Sequence, residues 1–364
     1  MPCRICGADV ELDEDGLCAE CAQKAGEASS ALGDTIEVTL EKVEVSTETL
    51  AAPSETSGDE QPTSRKVLEI GQEGGVTLRN PFSVALDDED NLFVMDQPER
   101  GSYRVTVFAP DGSYLRTVVE CEQGEGADEL KYPKGVALDP HGNLYIPDAG
   151  NNRIQRFDEV GSPMGPLGTA GEGPGQFSFP CDVDIDEAGV IYVADTYNCR
   201  IQKLTPQGVL LVSIGEETVA KSGSGSPLVV LDEPLAVTVD IDGNIFVADT
   251  NNHRLLKFDA DGAPLLELGE AGEGPRQFSY PSDVRVQTDG TIYVADMDNS
   301  RVQKFDPGGG ALGQFALQME EMGVGGGDIA VDSEGGVWMC DYLKHTVARV
   351  ELFESPAAAS GETE

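Results

Sequence analysis

The chain has 364 residues, of which 66 are acidic and 24 basic, for a formal net charge of −42. A polyanionic surface repels phosphate backbones, which argues against nucleic acid as a partner unless a local basic patch exists, and the sequence contains none. No run approaches the roughly 18 apolar residues of a membrane helix, and the first residues lack the apolar segment of a signal peptide, so the expected location is the cytoplasm.

The 43 glycines and 21 prolines supply turn chemistry without low complexity, so many short strands are expected in place of helices. The acids are distributed over linker, repeats and tail, a pattern that reads as solubility.

In chain order, residues 1–26 come first. They contain Cys3-Arg-Ile-Cys6-Gly and Cys18-Ala-Glu-Cys21, with eleven residues between Cys6 and Cys18. Two CxxC pairs at this distance can place four thiolates at the corners of a tetrahedron, the geometry a structural zinc ion prefers. The helix formers of CAECAQKAGEA suggest that the second pair opens a short helix. The segment resembles a small zinc ribbon or treble-clef module with Cys3, Cys6, Cys18 and Cys21 as ligands. Disulfides are disfavoured in a cytosolic chain, and no thioredoxin-like unit is present to make a redox dithiol. All four ligand positions are filled by protein, so the zinc would be structural. A RING finger needs eight ligands, and only four are present.

Residues 27–65 are acidic and rich in Ser, Thr and Pro, the composition of a flexible tether.

From residue 66 a unit recurs: aromatic-x-x-Asp, a polar turn, Arg-aliphatic-x-x-Phe, a second turn and an aliphatic stretch. Its aspartates are Asp96, Asp148, Asp195, Asp249, Asp296 and Asp341, about 45–54 residues apart, a period that belongs to propeller blades. In the fourth unit LAVTVD (235–240), NIFVAD (244–249), RLLKFD (254–259) and PLLELG (264–269) alternate with period two, and DIDGN, DTNNH and DADGA separate them. Four strands per unit make a four-stranded antiparallel blade, and six units make an all-β, six-bladed propeller. The last unit ends after its third strand, VARVELF (347–353), whereas RKVLEIGQEGG (65–75) looks like a displaced fourth strand. Val67 to Ile70 are therefore expected to pair with the C-terminal strand and close the ring at residues 66–353, leaving 354–364 as a tail.

The motif P-x-x-V-A-L-D-x-x-G-N-L-Y-V-x-D-x-x-N-x-R-I-x-x-F-D resembles the NHL repeat. That resemblance implies a six-bladed fold used by tripartite-motif ubiquitin ligases, sensor domains of bacterial kinases, RNA-binding regulators and peptide-amidating lyases, so function must be argued from sites.

The Asp-x-x-Asn-x-Arg signature recurs in blade after blade, and a copied feature is architectural: each aspartate is expected to cap its own turn and pair with the arginine. Blade six departs, with Thr346 at the arginine position. On the first strand of each blade, which lines the central channel, the repeat favours small residues. Asp182, Asp184, Asp283, Arg285 and Asp328 break that rule. Four carboxylates and an arginine near one channel end could bind a divalent cation or a polar ligand, or Arg285 could neutralise the aspartates. His141, His253 and His345 fall in separate turns, too far apart to share a metal. GEGPG (171–175) and GEGPR (272–276) precede strands and lack the helix a phosphate loop needs.

The expected function is binding, with the propeller face gripping a protein or peptide and the zinc ribbon giving a second contact. The alternatives are a propeller enzyme of the lyase, lactonase or hydrolase kind working through channel carboxylates and a divalent cation, and a ubiquitin-ligase-like role.

Overall fold

The computed structural model describes residues 64–73, 75–215, 229–316 and 327–352. The four cysteines of residues 1–26, the tether up to residue 63 and the tail from 353 lie outside the described residues.

The six units fold as six sheets. Blade one comprises strands Ser83–Leu86, Leu92–Asp96, Ser102–Phe108 and Tyr114–Glu122, paired in that order. Blade three runs from Pro180–Ile185 to Leu210–Ile214, blade four from Ala236–Val239 to Pro264–Leu268, and blade five from Pro281–Val286 to Ala311–Ala316, each a four-stranded antiparallel meander. Blade two holds only three ladder strands, Ala137–Leu138, Leu144–Asp148 and Arg153–Phe157. Its expected fourth strand is reduced to isolated bridges at Phe157–Pro163 and Ile154–Leu167. Pro163 and Pro166 explain this correction, because neither residue has an N–H to donate to a ladder.

Blade six closes the ring. Ser64–Ile70 pairs antiparallel with Thr346–Leu352, from Ser64 opposite Leu352 to Ile70 opposite Val347, with a bulge at Val67 that leaves this expected partner out of the ladder. The closing strand thus begins two residues earlier than the sequence boundary suggests.

The aromatic residue of each repeat explains why the blades stack. Phe93, Tyr145, Tyr192, Phe246, Tyr293 and Trp338 are all at most 5% exposed. Each packs in the interior between blades, where burying such a side chain stabilises the fold by roughly 1.5–3 kcal/mol. Their polar ends stay satisfied: Tyr192 Oη donates to Asp186 at 3.0 Å, and Trp338 Nε1 donates to Asp332 at 3.2 Å. A meander of this kind places the first-to-second and third-to-fourth turns at one end of the propeller. The second-to-third turns and the loops leading into each blade lie at the other end.

Candidate functional site

At the second end, the repeated aspartate does something the sequence did not disclose. Asp148, Asp195 and Asp249 make no side-chain cap to the short 3-10 turns that follow them. Instead one oxygen of each accepts a backbone N–H from the loop that leads into the blade. Lys131 N donates to Asp148 at 2.6 Å, Ser178 N to Asp195 at 2.7 Å, Asp232 N to Asp249 at 2.8 Å and Ser279 N to Asp296 at 2.6 Å. The other oxygen takes the arginine Nε at 2.7 Å in blades two to five. All four aspartates are fully buried. Burial pushes the Asp148 and Asp96 carboxyls up, against the opposing pull of their arginine and amide partners. The aspartate therefore ties three chain segments of one blade together. In blade six Asp341 keeps the expected role, accepting Lys344 N of its own turn at 2.9 Å.

The residue after each turn sits in the left-handed region, with φ of 54° at Asn152, 53° at His253 and 58° at His345. Its side chain reaches across to the next blade. Asn152 Oδ1 accepts Phe179 N at 2.8 Å, His253 Nδ1 accepts Tyr280 N at 3.1 Å, and His345 Nδ1 accepts Asn80 N at 3.0 Å. The histidine slots, variable in sequence, are thus inter-blade links, and the only clue was an asparagine at the same position in blade two.

Around these links the face carries exposed aromatic and apolar side chains. Tyr132 is 40%, Tyr280 43%, Tyr342 38% and Leu343 51% exposed. Phe179 and Tyr197 stack at 4.7 Å and 13°, and Lys134 Nζ lies 5.3 Å from the Phe179 ring centre. The opposite end carries acids in its turns. Asp88, Glu89, Asp111, Glu187, Asp242 and Asp289 are all exposed in its turns. Exposed acids also stand in the loops of the tyrosine-bearing end, among them Glu99, Glu125, Glu172, Glu273 and Asp298, so the negative charge covers both ends.

The channel brings three of the singled-out carboxylates to the guanidinium of Arg285. Arg285 Nη2 lies 3.0 Å from Asp328 Oδ1, and Nη1 lies 3.1 Å from Asp283 Oδ1 and 3.4 Å from Asp182 Oδ2. Arg285 Nε donates to the Ile329 carbonyl at 3.0 Å. Asp184 turns instead to blade four, accepting Thr238 Oγ1 at 2.8 Å and Val239 N at 2.9 Å.

The three carboxylates around Arg285 also bind the next blade. Asp182 accepts Val237 N at 3.0 Å, Asp283 accepts Ile329 N at 2.7 Å and Asp328 accepts Val84 N at 3.0 Å. Ser83 fills the same position in blade one and accepts Val136 N at 3.0 Å. Burial pushes Asp182 up to about 7 despite Arg285, with Asp328 adding to the rise, and pushes Asp283 well up for the same reasons. The Arg285 guanidinium contacts all three of these carboxylates. Among the described residues no three His, Cys, Asp or Glu side chains are placed to hold a metal ion. No helix among them is long and apolar enough to cross a membrane.

A cleft of about 900 Å³ opens at the outer edge of blade four, lined by Arg254, Leu265 and Glu267 among others.

Residues 130–157 and 177–204 match the NHL repeat, and residues 235–344 match a family described as a 6-bladed beta-propeller. Over 113 residues, 30% of this chain, the sequence is 34% identical to NHL-repeat-containing protein 4 of Mus musculus and covers 75% of it. It is 44% identical over 52 residues to Protein brain tumor of Drosophila melanogaster, a match that spans 14% of this chain and 5% of that relative. The structure of a streptogramin B lyase superposes with a TM-score of 0.53 at 12% identity, over 79% of this chain and 98% of the lyase, a likeness of fold. The chain belongs to the NHL-repeat family.

Proposed function

We propose that this NHL-repeat propeller is a binding scaffold without catalytic activity. The face built from lead-in loops and second-to-third turns grips a protein or peptide partner. The N-terminal segment holds a structural zinc through Cys3, Cys6, Cys18 and Cys21 and gives a second contact. The observation that carries this reading is the exposure of Tyr132, Tyr280 and Tyr342 on one face. Tyrosines on a rigid platform are the residue type that anchors interfaces, offering a large contact area at low entropic cost. The polar groups beside them are engaged inside the fold. The repeated aspartates hold lead-in loops, the turn histidines hold neighbouring blades, and the channel carboxylates hold backbone amides and Arg285. Nothing at the channel favours a catalytic cation over this arrangement, and the likeness to a lyase extends to the fold alone.

The test is quantitative capture of partners by the full chain and by a Tyr132→Ala/Tyr280→Ala/Tyr342→Ala variant. Interface tyrosines cost on the order of 2 kcal/mol each when truncated at a hot spot, so a partner held by this face should bind roughly 30-fold more weakly for each anchor lost. A partner retained equally by both proteins would sink this reading. So would turnover of lactone or ester substrates that fails in an Asp283→Asn variant.

A further inference from the structure

The channel is lined by two tiers of side chains, one from each first strand. The upper tier holds Ser83, Gly135, Asp182, Ala236, Asp283 and Asp328, and the lower holds Ala85, Ala137, Asp184, Thr238, Arg285 and Ala330. The charged groups facing one another are therefore four carboxylates and one guanidinium. Beside them lie the partly buried thiol of Cys181 and the buried one of Cys340, both pushed up by desolvation, and Lys134 near Cys181. Three of the carboxylates carry a blade junction each: Asp182 joins blades three and four, Asp283 joins five and six, and Asp328 joins six and one. Asp182 and Asp283 are 8% and 2% exposed, so water does little to screen their mutual repulsion.

We propose that this hub is a proton-dependent clasp on the ring: one guanidinium holds the carboxylates of three blade junctions together only while the cluster keeps a proton, and loss of that proton loosens the junctions. With Asp283 protonated, its O–H can donate to the Asp328 carboxylate beside it, and the repulsion between those two groups becomes a hydrogen bond. Burial, opposed by Arg285 and reinforced by Asp328 and Asp182, pushes the Asp283 carboxyl well above the usual range, and the contact with Asp328 raises it further. A folded-state value above the unfolded one means that the native protein binds more protons. The stability these groups contribute is then full at low pH and is lost as the pH rises through about 7, the value to which Asp182 is pushed. The clasp sits on the seam between the last and first blades, so alkaline solution acts where the ring closes.

The experiment is thermal unfolding of the full chain from about pH 4.5 to about pH 9, beside Asp283→Asn and the exposed control Asp242→Asn. Asparagine mimics the protonated acid and keeps an oxygen for Ile329 N–H. The wild type should lose several degrees across this range and Asp283→Asn less than half as much, while the control follows the wild type. Equal losses in all three, or flattening by the control as well, would overturn the proposal. Infrared spectroscopy of the wild type gives a second readout that does not depend on the variant folding. A carboxylic-acid C=O band at neutral pH that fades on alkalinisation supports the clasp, and its absence refutes it.

Discussion

Asp328 of blade six accepts the backbone N–H of Val84 of blade one at 3.0 Å, joining residues 244 positions apart across the seam of the ring. Two further bonds cross near it. His345 Nδ1 accepts Asn80 N at 3.0 Å, and Thr346 Oγ1 donates to Glu69 at 2.9 Å. Together with the Ser64–Ile70 strand, these contacts make closure a property of both chain ends.

Ile70 is the apolar anchor of that seam. It is 1% exposed and packs with Leu78, Val84, Trp338 and Val347, side chains drawn from both ends of the ring. Ile70→Ala should cost about 2–4 kcal/mol in urea unfolding, the usual loss for a large-to-small change in a packed core. A loss below about 0.5 kcal/mol would mean that the closing strand is dispensable.

The buried arginine clamps should rank by exposure. Asp195 is fully buried and the Arg200 side chain is 2% exposed, whereas Arg254 is 20% exposed beside an equally buried Asp249. Removing Arg200 leaves the buried Asp195 without its positive partner, although the Ser178 amide, Asn198 and Gln202 still donate to it, so Arg200→Ala should cost about 3 kcal/mol. Arg254→Ala should cost less, because solvent can reach the vacated position. The order of the two denaturation midpoints checks this, and a reversed order would contradict it.

Much of this fold was legible because the sequence repeats. A period of 45–54 residues, four alternating segments and a displaced fourth strand suffice to place the blades and the closing strand. Blade two lost its fourth strand to Pro163 and Pro166, visible in the sequence but outweighed by the regularity of its siblings. The channel departures were visible too, since Asp182, Asp184, Asp283, Arg285 and Asp328 stand where other blades carry small residues. Their partners were not. The bond from Asp328 to Val84 depends on a register between strands at opposite ends of the chain, and no local pattern encodes it. The repeated aspartate misled for the same reason, because the amide it binds lies 17 residues upstream in a loop without periodicity.

The histidine links predict which substitutions are tolerated. Asn152 fills in blade two the slot that His345 fills in blade six, with a similar left-handed backbone and the same kind of cross-blade bond. His345→Asn should therefore keep stability within about 0.5 kcal/mol, since asparagine accepts the amide and tolerates φ > 0. His345→Ala should lose about 1 kcal/mol by leaving the Asn80 N–H without its side-chain acceptor. Equal losses in the two variants would show that the imidazole does no more than fill space.

The N-terminal cysteines predict one zinc per chain. If Cys3, Cys6, Cys18 and Cys21 bind it together, elemental analysis of the purified protein should find a single equivalent, and Cys18→Ser should lose it. Metal binding at such sites supplies on the order of 10–16 kcal/mol of folding energy to a segment too short for a core of its own. The propeller's thermal transition should not change, because none of its described residues is a ligand. Zinc-free wild-type protein would end the zinc-ribbon reading.

Replacing Arg285 separates a structural counter-ion from a ligand-binding group. The guanidinium opposes the upward push of burial on Asp182, Asp184 and Asp283, so Arg285→Met lets all three rise further. Raised carboxylates are protonated, and tolerable, at low pH. Near about pH 5 the variant should then lie close to the wild type, since methionine fills much of the arginine stem's volume. As the pH rises the carboxylates must ionise without a cation, and the deficit should grow to about 2–3 kcal/mol near pH 8. This is the lower part of the range for broken buried pairs, because the Arg285 side chain keeps 20% exposure and some solvent screening. A deficit independent of pH would mean that Arg285 acts through packing alone. An increase in stability at every pH would mean that the ion cluster is retained for a ligand and not for the ring.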